Sequence, residues 1–455
     1  MERVEKKTKV ILVLLDGLGD RSYAELGHRT PLAAADTPNL DRISQMGSNG
    51  IFHALAQGYC LPSETAHFLM FGYDMAMFPG RGLLEAAGSN VAFSDKDVLV
   101  LAHLSRAGFA ESGILRLEHG RDEITGDRDL LKSVYQRLTP YEYNGVSFEL
   151  NQVGRNDAIL VVKGDVSPDF SDSDPIIRHM PIGRVVPLAE SREPERAATT
   201  ANAMNQYLSW CHEKLCDVKR EKPRFAGQSV YRYDQTIPGN ILLTQRPGRR
   251  VPLEPFSEKW GFTPALIASG GVYRGIAGEL GFDFIGAEDT PSFGEDLAER
   301  IRIAMADDIH DFIHVHTKVP DAVSHNGNPV AKTKAIGLLD AAFSALLEYL
   351  EKNDDLLVVI TADHSTPSRS ILVHSGETVP VIMAGGAIRK DTVDRFDEMA
   401  AVSGSLGFLR GDELMHMILN CSDRSILNGL RLGPHKRPYR NDAYPPFMVR
   451  SPVPE

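Results

Sequence analysis

Short, continuous runs of hydrophobic residues recur along the chain and predict buried strands. The four clearest runs span residues 9–15, 312–316, 356–360 and 379–384. Each run is too short for a helix and fits a strand that is buried on both faces of a sheet. Segments with helical spacing lie between such runs, for example residues 193–216 and 331–352. This alternation predicts an α/β fold, in which helices flank a mostly parallel sheet.

The pattern changes between residues 96 and 191. Short strand candidates alternate there with one helical segment near residues 129–138, and a polar, proline-containing stretch follows. We expect residues 96–191 to form an inserted smaller α+β domain that covers a substrate, while residues 1–95 and 192–430 form the core domain. The length of 455 residues also favours two domains. Residues 431–455 form a C-terminal tail, and the sequence leaves open whether it packs on a neighbouring subunit.

Composition narrows the class of protein and the kind of partner. The chain is 42% hydrophobic and 24% charged, as is usual for a globular enzyme. Its 49 basic and 61 acidic residues give a net charge of −12, which argues against nucleic acid or an anionic membrane as the main partner. The four cysteines show no C-x-x-C pairing and are too few for a disulfide framework. Since no signal-peptide or membrane-spanning run is visible, we expect a cytoplasmic protein, with its oligomeric state open.

Metal-ligating side chains follow three of the predicted strands. They are Asp16 after the first run, Asp321 and His325 after the run 312–316, and Asp363, His364 and His374 after the run 356–360. The carboxyl ends of parallel strands meet at one edge of a sheet, where α/β proteins bind their ligands. Each of these residues alone is more often structural, but six of them at strand ends favour a site. Mixed oxygen and nitrogen ligands suit two divalent ions, with Mn²⁺ or Zn²⁺ more natural than Mg²⁺ alone.

Ser63 is a candidate nucleophile close to the start of a predicted helix. It follows Pro62, and His67 lies one turn further along. A metal ion and the positive end of a helix both stabilise a serine alkoxide. The simpler alternative, favoured when Ser63 is considered alone, is that its hydroxyl only caps the helix. We expect either His67 or a metal-bound water to protonate a leaving alcohol.

Several motifs occur in a fixed order along nearly the whole chain. They are L-D-G-L-G-D (15–20), T-P-L-A-A-A-D-T-P-N-L-D-R (30–42), P-S-E-T-A-H (62–67), F-G-Y-D (71–74), G-R-G-L-L-E-A-A-G (80–88), D-S-D-P (172–175), H-T-K-V-P-D-A-V-S-H-N-G (316–327), T-A-D-H-S-T-P (361–367) and H-S-G-E-T-V-P-V (374–381). In these motifs the chain resembles the cofactor-independent phosphoglycerate mutases, in particular the archaeal-type branch of the alkaline phosphatase superfamily. The resemblance implies an alkaline-phosphatase-like core domain.

The resemblance also implies roles for individual residues. Ser63 is expected to be the phosphorylated nucleophile. Two metal ions are expected, one held by Asp16, Ser63, Asp363 and His364 and the other by Asp321, His325 and His374. Contacts to the substrate or to phosphoryl oxygens are expected from Arg81, Arg121 and Lys318.

The chain departs from the family pattern in several places, and one of them bears on the substrate. The arginine-rich segment of the inserted domain corresponds here to residues 115–121, in which only Arg121 matches and Leu117 and Glu118 stand near the family's paired arginines. Fewer guanidinium groups weaken the grip on a carboxylate and a phosphate. The sequence therefore predicts phosphoryl transfer more firmly than it predicts the substrate.

Three functions are compatible with these residues. The first is a 2,3-bisphosphoglycerate-independent phosphoglycerate mutase, which interconverts 3- and 2-phosphoglycerate through a phosphoserine at a two-metal site. The alternative is a metal-dependent phosphatase or phosphotransferase that acts on another small phosphorylated acid or alcohol. The third, a metal-dependent binding or regulatory protein, is disfavoured because it has no need for an intact set of three Asp and three His.

Overall fold

The computed structural model of the protein describes residues 8–109, 113–216, 238–385, 388–440 and 447–449. In chain order, its strands are β1 (Lys9–Leu15), β2 (Ser48–His53), β3 (Val98–Phe109), β4 (Leu115–His119), β5 (Tyr141–Tyr143), β6 (Val146–Gln152), β7 (Ala158–Lys163), β8 (Ile241–Gly248), β9 (Pro264–Ala268), β10 (Asp283–Gly286), β11 (Phe312–Thr317), β12 (Leu356–Thr361), β13 (Val379–Ala384) and β14 (Gly407–Arg410). Its α-helices are α1 (Pro31–Ala34), α2 (Pro38–Met46), α3 (Ser63–Met70), α4 (Arg81–Gly88), α5 (Arg128–Gln136), α6 (Pro194–Leu215), α7 (Phe256–Trp260), α8 (Gly271–Leu280), α9 (Phe293–Ala306), α10 (Val319–Ser324), α11 (Pro329–Asp340), α12 (Ser344–Leu350) and α13 (Glu413–Cys421).

The described residues of Met1–Phe78 and Leu253–Glu455 form one compact unit around an eight-stranded sheet. The strand order is β10-β9-β11-β1-β12-β13-β2-β14. The first five strands are mutually parallel, β13 is antiparallel to both of its neighbours, and β14 is parallel to β2. This arrangement confirms the predicted α/β fold with a mostly parallel sheet.

The centre of this sheet places three carboxyl strand ends side by side. β11, β1 and β12 are neighbours, and Leu14 of β1 is in register with both His316 and Thr361. All residues of β11 and β12 are buried, as is β1 beyond Lys9. Continuous apolar runs are expected for strands that are covered on both faces. The loops that follow these three strands therefore leave the sheet at one edge.

The second compact unit, Pro79–Pro252, is built on antiparallel strands. Its sheet has the order β4-β3-β7-β6-β5, and β8 also pairs with β3. Helix α6 packs on this sheet, where the ring of Tyr207 stacks on Phe148 with 4.7 Å between centroids. The unit contains the predicted inserted segment 96–191 and extends beyond it on both sides, because α4 and β8 pack against β3.

The single helix predicted over residues 331–352 is wrong. Helix α11 ends at Asp340, a 3₁₀ turn covers Ala341–Phe343, and α12 begins at Ser344. At this break the Asp340 carboxylate accepts hydrogen bonds from the backbone N–H groups of Asn39 and Leu40, at the start of α2. The side chain of Phe343 is fully buried at the same place. Tertiary contacts at these two positions accompany the change from α to 3₁₀ geometry.

Part of the C-terminal tail packs on its own unit. The Tyr439 hydroxyl donates to the carbonyl of Glu258 at 2.8 Å, and Arg437 forms an ion pair with Glu254. Residues 441–446 and 450–455 lie outside the described residues. Among the helices of the described residues, none combines the length and the hydropathy that crossing a bilayer requires.

Candidate metal centre

Ser63 is the first residue of α3, and its hydroxyl faces two of the predicted metal ligands. The Oγ atom lies 3.0 Å from Nε2 of His364 and 3.3 Å from Oδ1 of Asp16. Pro62 occupies the N-cap position, so the Ser63 side chain does not cap the helix. The alternative in which Ser63 serves only as a helix cap is thus not what the structure contains.

The predicted ligands form two groups at the carboxyl edge of the central strands. In each group, one possible ligand atom from every residue lies within 4.8 Å of the others. The groups are Asp16, Asp363 and His364, all buried, and Asp321, His325 and His374, which are partly accessible. The rings of His364 and His374 stack with 3.8 Å between centroids, so the two groups adjoin. We expected residues at strand ends far apart in sequence to converge at this edge, and all six do.

Local structure explains how the second group comes together. Residues 319–324 form the short helix α10 directly after β11, and because Asp321 and His325 are four residues apart, this turn places them on one face. Nε2 of His325 lies 3.3 Å from Oδ1 of Asp321, and Nε2 of His374 lies 3.5 Å from the same oxygen. The other ring nitrogen of His374 is bound to the carbonyl of Leu61, which fixes the direction of the imidazole.

The electrostatics of the buried group suit a cation. Burial, followed by the neighbouring charge of Asp16, raises the pKa of Asp363 well above its ordinary value. Burial and the neighbouring His374 lower the pKa of His364 to about 3, so its imidazole is neutral, which is the metal-ligating form. Oδ2 of Asp363 is buried and has no hydrogen-bond partner among the described residues. A bound cation would satisfy this oxygen, since buried polar atoms are rarely left unpaired.

In the partly accessible group, Asp321 holds its negative charge. Burial alone would raise the pKa of this carboxyl, but the hydrogen bond from His325 and the adjacent histidines lower it below its ordinary range. Hydrogen bonding to Asp321, together with its charge, raises the pKa of His325 despite burial. The two residues therefore attract one another, and a metal ion would have to displace the proton from His325.

A second layer of buried side chains holds Asp16, and the sequence analysis did not find it. The Tyr273 hydroxyl donates to Oδ2 of Asp16 at 2.9 Å, and Nε2 of His316 lies 3.1 Å from the same oxygen. Both side chains are almost completely buried. This leaves Oδ1 of Asp16, the oxygen that faces Ser63, as the atom for a metal. The signal in the sequence was the pair of histidines, His314 and His316, inside a buried strand.

His67 lies beneath the site, and its role as a proton donor stays a prediction. The side chain has no exposed surface, and Nδ1 lies 2.7 Å from the carbonyl oxygen of Ser63. Burial lowers the pKa of His67, and its ring packs edge-on against Tyr273 and His316. These contacts suit a residue that fixes the first turn of α3.

The predicted substrate contacts fall in both compact units. Lys318 occupies the N-cap position of α10 in the first unit, and its Nζ lies 5.1 Å from the centre of the Tyr273 ring. In the second unit, Arg81 begins α4 and pairs with Glu85 at 3.1 Å. Arg121 pairs there with the carboxylates of Asp122 and Asp157, at 3.0 and 3.4 Å.

The second unit also holds a buried polar pair that the sequence analysis did not single out as a site. Nε2 of His103 lies 3.3 Å from Oδ2 of Asp174, and both side chains are almost fully buried. The Gln245 amide donates to the same carboxylate oxygen at 3.1 Å. Burial would raise the pKa of Asp174, but His103 and the charge of nearby Arg121 help to lower it. Asp174 belongs to the D-S-D-P motif, which was a visible signal.

Comparison with known proteins gives consistent similarities. Residues 8–421 match the family model described as the metalloenzyme superfamily. The chain is 37% identical over 438 residues to 2,3-bisphosphoglycerate-independent phosphoglycerate mutase 2 of Methanocaldococcus jannaschii, covering 95% of this chain and 97% of the relative. Among solved structures, it resembles the PH0037 protein of Pyrococcus horikoshii with a TM-score of 0.70 at 25% identity, covering 93% of this chain and all of the other. The cofactor-independent phosphoglycerate mutase of Thermoplasma acidophilum gives a TM-score of 0.57 at 26% identity, with coverages of 91% and 100%.

Proposed function

Because this chain belongs to the metalloenzyme superfamily and, within it, to the 2,3-bisphosphoglycerate-independent phosphoglycerate mutases, we propose that it interconverts 3- and 2-phosphoglycerate through a phosphoserine at Ser63. The observation that carries the proposal is the position of the Ser63 hydroxyl, at the start of α3 and within 3.3 Å of Asp16 and His364. We further propose that the reaction takes place in the cytoplasm.

The proposal includes two divalent metal ions, and the residues fit them. Asp16, Asp363 and His364 would hold one ion together with the Ser63 oxygen, and Asp321, His325 and His374 would hold the other. The mixed oxygen and nitrogen donors favour Mn²⁺ or Zn²⁺, and they are also compatible with Mg²⁺. When bound, the ions would neutralise charge on the phosphoryl oxygens and favour the alkoxide form of the serine.

Ser63 acts as the nucleophile in both directions of the proposed reaction. Its Oγ attacks phosphorus in line, the Oγ–P bond forms, and the bond from phosphorus to the glycerate oxygen breaks. The departing alkoxide takes up one proton, the equivalent of the proton that Ser63 gave up. The glycerate stays bound and turns, and its other hydroxyl then attacks the phosphoserine and restores Ser63. If water attacks instead, the products are glycerate and free phosphate, so the outcome depends on how well the protein holds glycerate and excludes water.

We propose Arg81, Arg121 and Lys318 as the contacts to the anionic groups of the substrate. Lys318 is half-buried in the unit that carries the metal centre. The charge of Arg121 already meets two carboxylates, so a substrate carboxylate would have to exchange with them. Because Arg121 is already paired with these carboxylates, its contact to a glycerate carboxylate would be weakened. This pairing favours the second candidate function, a phosphatase or phosphotransferase that acts on another small phosphorylated acid or alcohol.

The Ser63→Ala variant tests the covalent mechanism. We expect it to lose turnover entirely and to form no acid-stable phosphoprotein, detected by mass spectrometry after quenching with substrate present. The matched control is Ser257→Ala, which removes an exposed serine hydroxyl from the first turn of α7 and should leave both measurements unchanged. Turnover by Ser63→Ala would overturn the phosphoserine.

Chelation followed by addition of Mn²⁺ or Zn²⁺ tests the requirement for metal ions. We expect turnover to stop when the ions are removed and to recover when they are added back.

A further inference from the structure

A lysine is completely buried directly below the loops that carry the metal ligands. Lys332 of α11 has no exposed surface. Its ammonium group donates to three backbone carbonyls, those of Gly17 at 2.8 Å, Gly19 at 3.0 Å and Thr366 at 2.9 Å. Asp20 supplies the counter-charge at 3.3 Å. All three N–H groups of the ammonium are therefore used, and each points at the backbone of a loop.

The three carbonyls belong to two loops that each follow a ligand. Gly17 and Gly19 lie in the loop that begins with Asp16, and Thr366 lies in the loop that begins with Asp363. The same loops are tied to each other by backbone groups. The N–H of Gly17 donates to Oδ1 of Asp363 at 3.1 Å, and the N–H of Thr366 donates to the carbonyl of Gly19 at 2.9 Å. Lys332 thus connects the two loops that carry the first group of ligands.

Thr366 connects these loops to the second group of ligands. Its hydroxyl donates to Oδ1 of Asp321 at 2.7 Å and lies 3.1 Å from Nδ1 of His364. One side chain therefore touches a ligand from each group while its own carbonyl is held by Lys332. The fit is close, since a Cβ atom on Gly17 would lie 2.5 Å from the Thr366 hydroxyl oxygen. A displacement of Thr366 would therefore change a contact to one ligand in each group.

We propose that Lys332 is a positioning residue for both metal sites, which it reaches through the backbone and hydroxyl of Thr366. The inference rests on the proposed two-metal function. Burying an ammonium ion is unfavourable until its partners compensate, and an apolar side chain would fill the same space without that penalty. Side chains behind metal ligands set the direction of those ligands, and their loss typically weakens metal binding roughly 10–100-fold. Lys332 accordingly sets the affinity of the two sites together.

The Lys332→Met variant tests this coupling by titration with Mn²⁺. The full-length protein is freed of metal with a chelator, Mn²⁺ is added, and free Mn²⁺ is followed by electron paramagnetic resonance. We expect wild type to bind two ions and Lys332→Met to bind both more weakly by roughly 10–100-fold. The matched control is Lys334→Met, which removes an exposed lysine from the same helix and should bind as wild type does.

A second variant keeps the test decisive if Lys332→Met does not fold. Thr366→Val preserves the shape of a fully buried side chain and removes only its hydroxyl. It should also weaken both sites, whereas Thr366→Ser should bind nearly as wild type does. Folded variants that bind two ions with wild-type affinity, or that weaken only one site, overturn the inference and leave the proposed function intact. Failure of the wild-type protein to bind Mn²⁺ or Zn²⁺ would instead count against the proposed metal centre itself.

Discussion

The two oxygens of Asp16 have different surroundings, and that difference determines what the residue can do. Oδ2 receives the Tyr273 hydroxyl and the His316 imidazole, and Oδ1 faces Ser63. Burial and the charge of Asp16 raise the pKa of Tyr273 well above its ordinary value, so the phenol remains a neutral donor. A carboxylate that is fixed through one oxygen presents the other in a defined direction.

The Tyr273→Phe variant should weaken Mn²⁺ binding roughly 10-fold, because Asp16 loses one of the two donors that orient it. The ring remains, so the apolar packing and the fold should survive. The measurement is a Mn²⁺ titration of the chelator-treated protein. Tyr349→Phe is the matched control, because it removes a tyrosine hydrogen bond to a carboxylate, that of Asp355, on another helix. If the two variants bind Mn²⁺ equally well, Tyr273 does not orient Asp16.

At the scale of elements, the sequence was informative where one rule governs a segment. Buried parallel strands produce apolar runs, so β1, β11, β12 and β13 were predicted nearly to the residue. The sequence was uninformative where tertiary contacts determine the secondary structure. β2 contains Ser48, Asn49 and Gly50 and has no strand-like pattern, yet it pairs with β13 and β14. The break between α11 and α12 likewise depends on partners that are distant in sequence.

One histidine, His310, contacts residues of neighbouring elements at the opposite, amino-terminal edge of the sheet. His310, just before β11, lies 2.8 Å from Oδ2 of Asp307 at the end of α9 and 2.9 Å from Oδ2 of Asp283 at the start of β10. Burial favours the neutral ring, but hydrogen bonds to the two carboxylates outweigh it and raise the pKa of His310 above its ordinary value. Protonation of this histidine therefore stabilises the junction of the three elements.

The stabilisation should depend on pH with a definite sign. Because the pKa of His310 is raised on folding, its contribution is complete below the unfolded value of about 6.5 and is lost as pH rises through the folded value. We expect His310→Asn to lower the free energy of unfolding by about 1–2 kcal/mol at pH 6 and by less at pH 9. The measurement is denaturant unfolding of the variant and of wild type at both pH values. His435→Asn, at an exposed site, is the control. An equal cost at both pH values would contradict the pairing.

At the scale of the whole molecule, charge and chain order explain why reaction type was easier to predict than substrate. The net charge of −12 opposes an anionic substrate, so the binding energy must come from local cations and metal ions. The ligands follow strands of one sheet, and a general rule about strand ends was enough to bring them together. The residues near Arg121 lie in a separate antiparallel unit, for which no such rule relates sequence to substrate. Substrate choice therefore needs a measurement on the intact protein.

Phosphorus NMR of the metal-loaded protein with 3-phosphoglycerate tests the central claim most directly. The proposed mutase replaces the resonance of 3-phosphoglycerate with that of 2-phosphoglycerate while inorganic phosphate stays absent, and Ser63→Ala leaves the spectrum unchanged. Steady growth of inorganic phosphate without 2-phosphoglycerate would contradict the mutase and identify a phosphatase. Conversion by Ser63→Ala at the wild-type rate would contradict the phosphoserine.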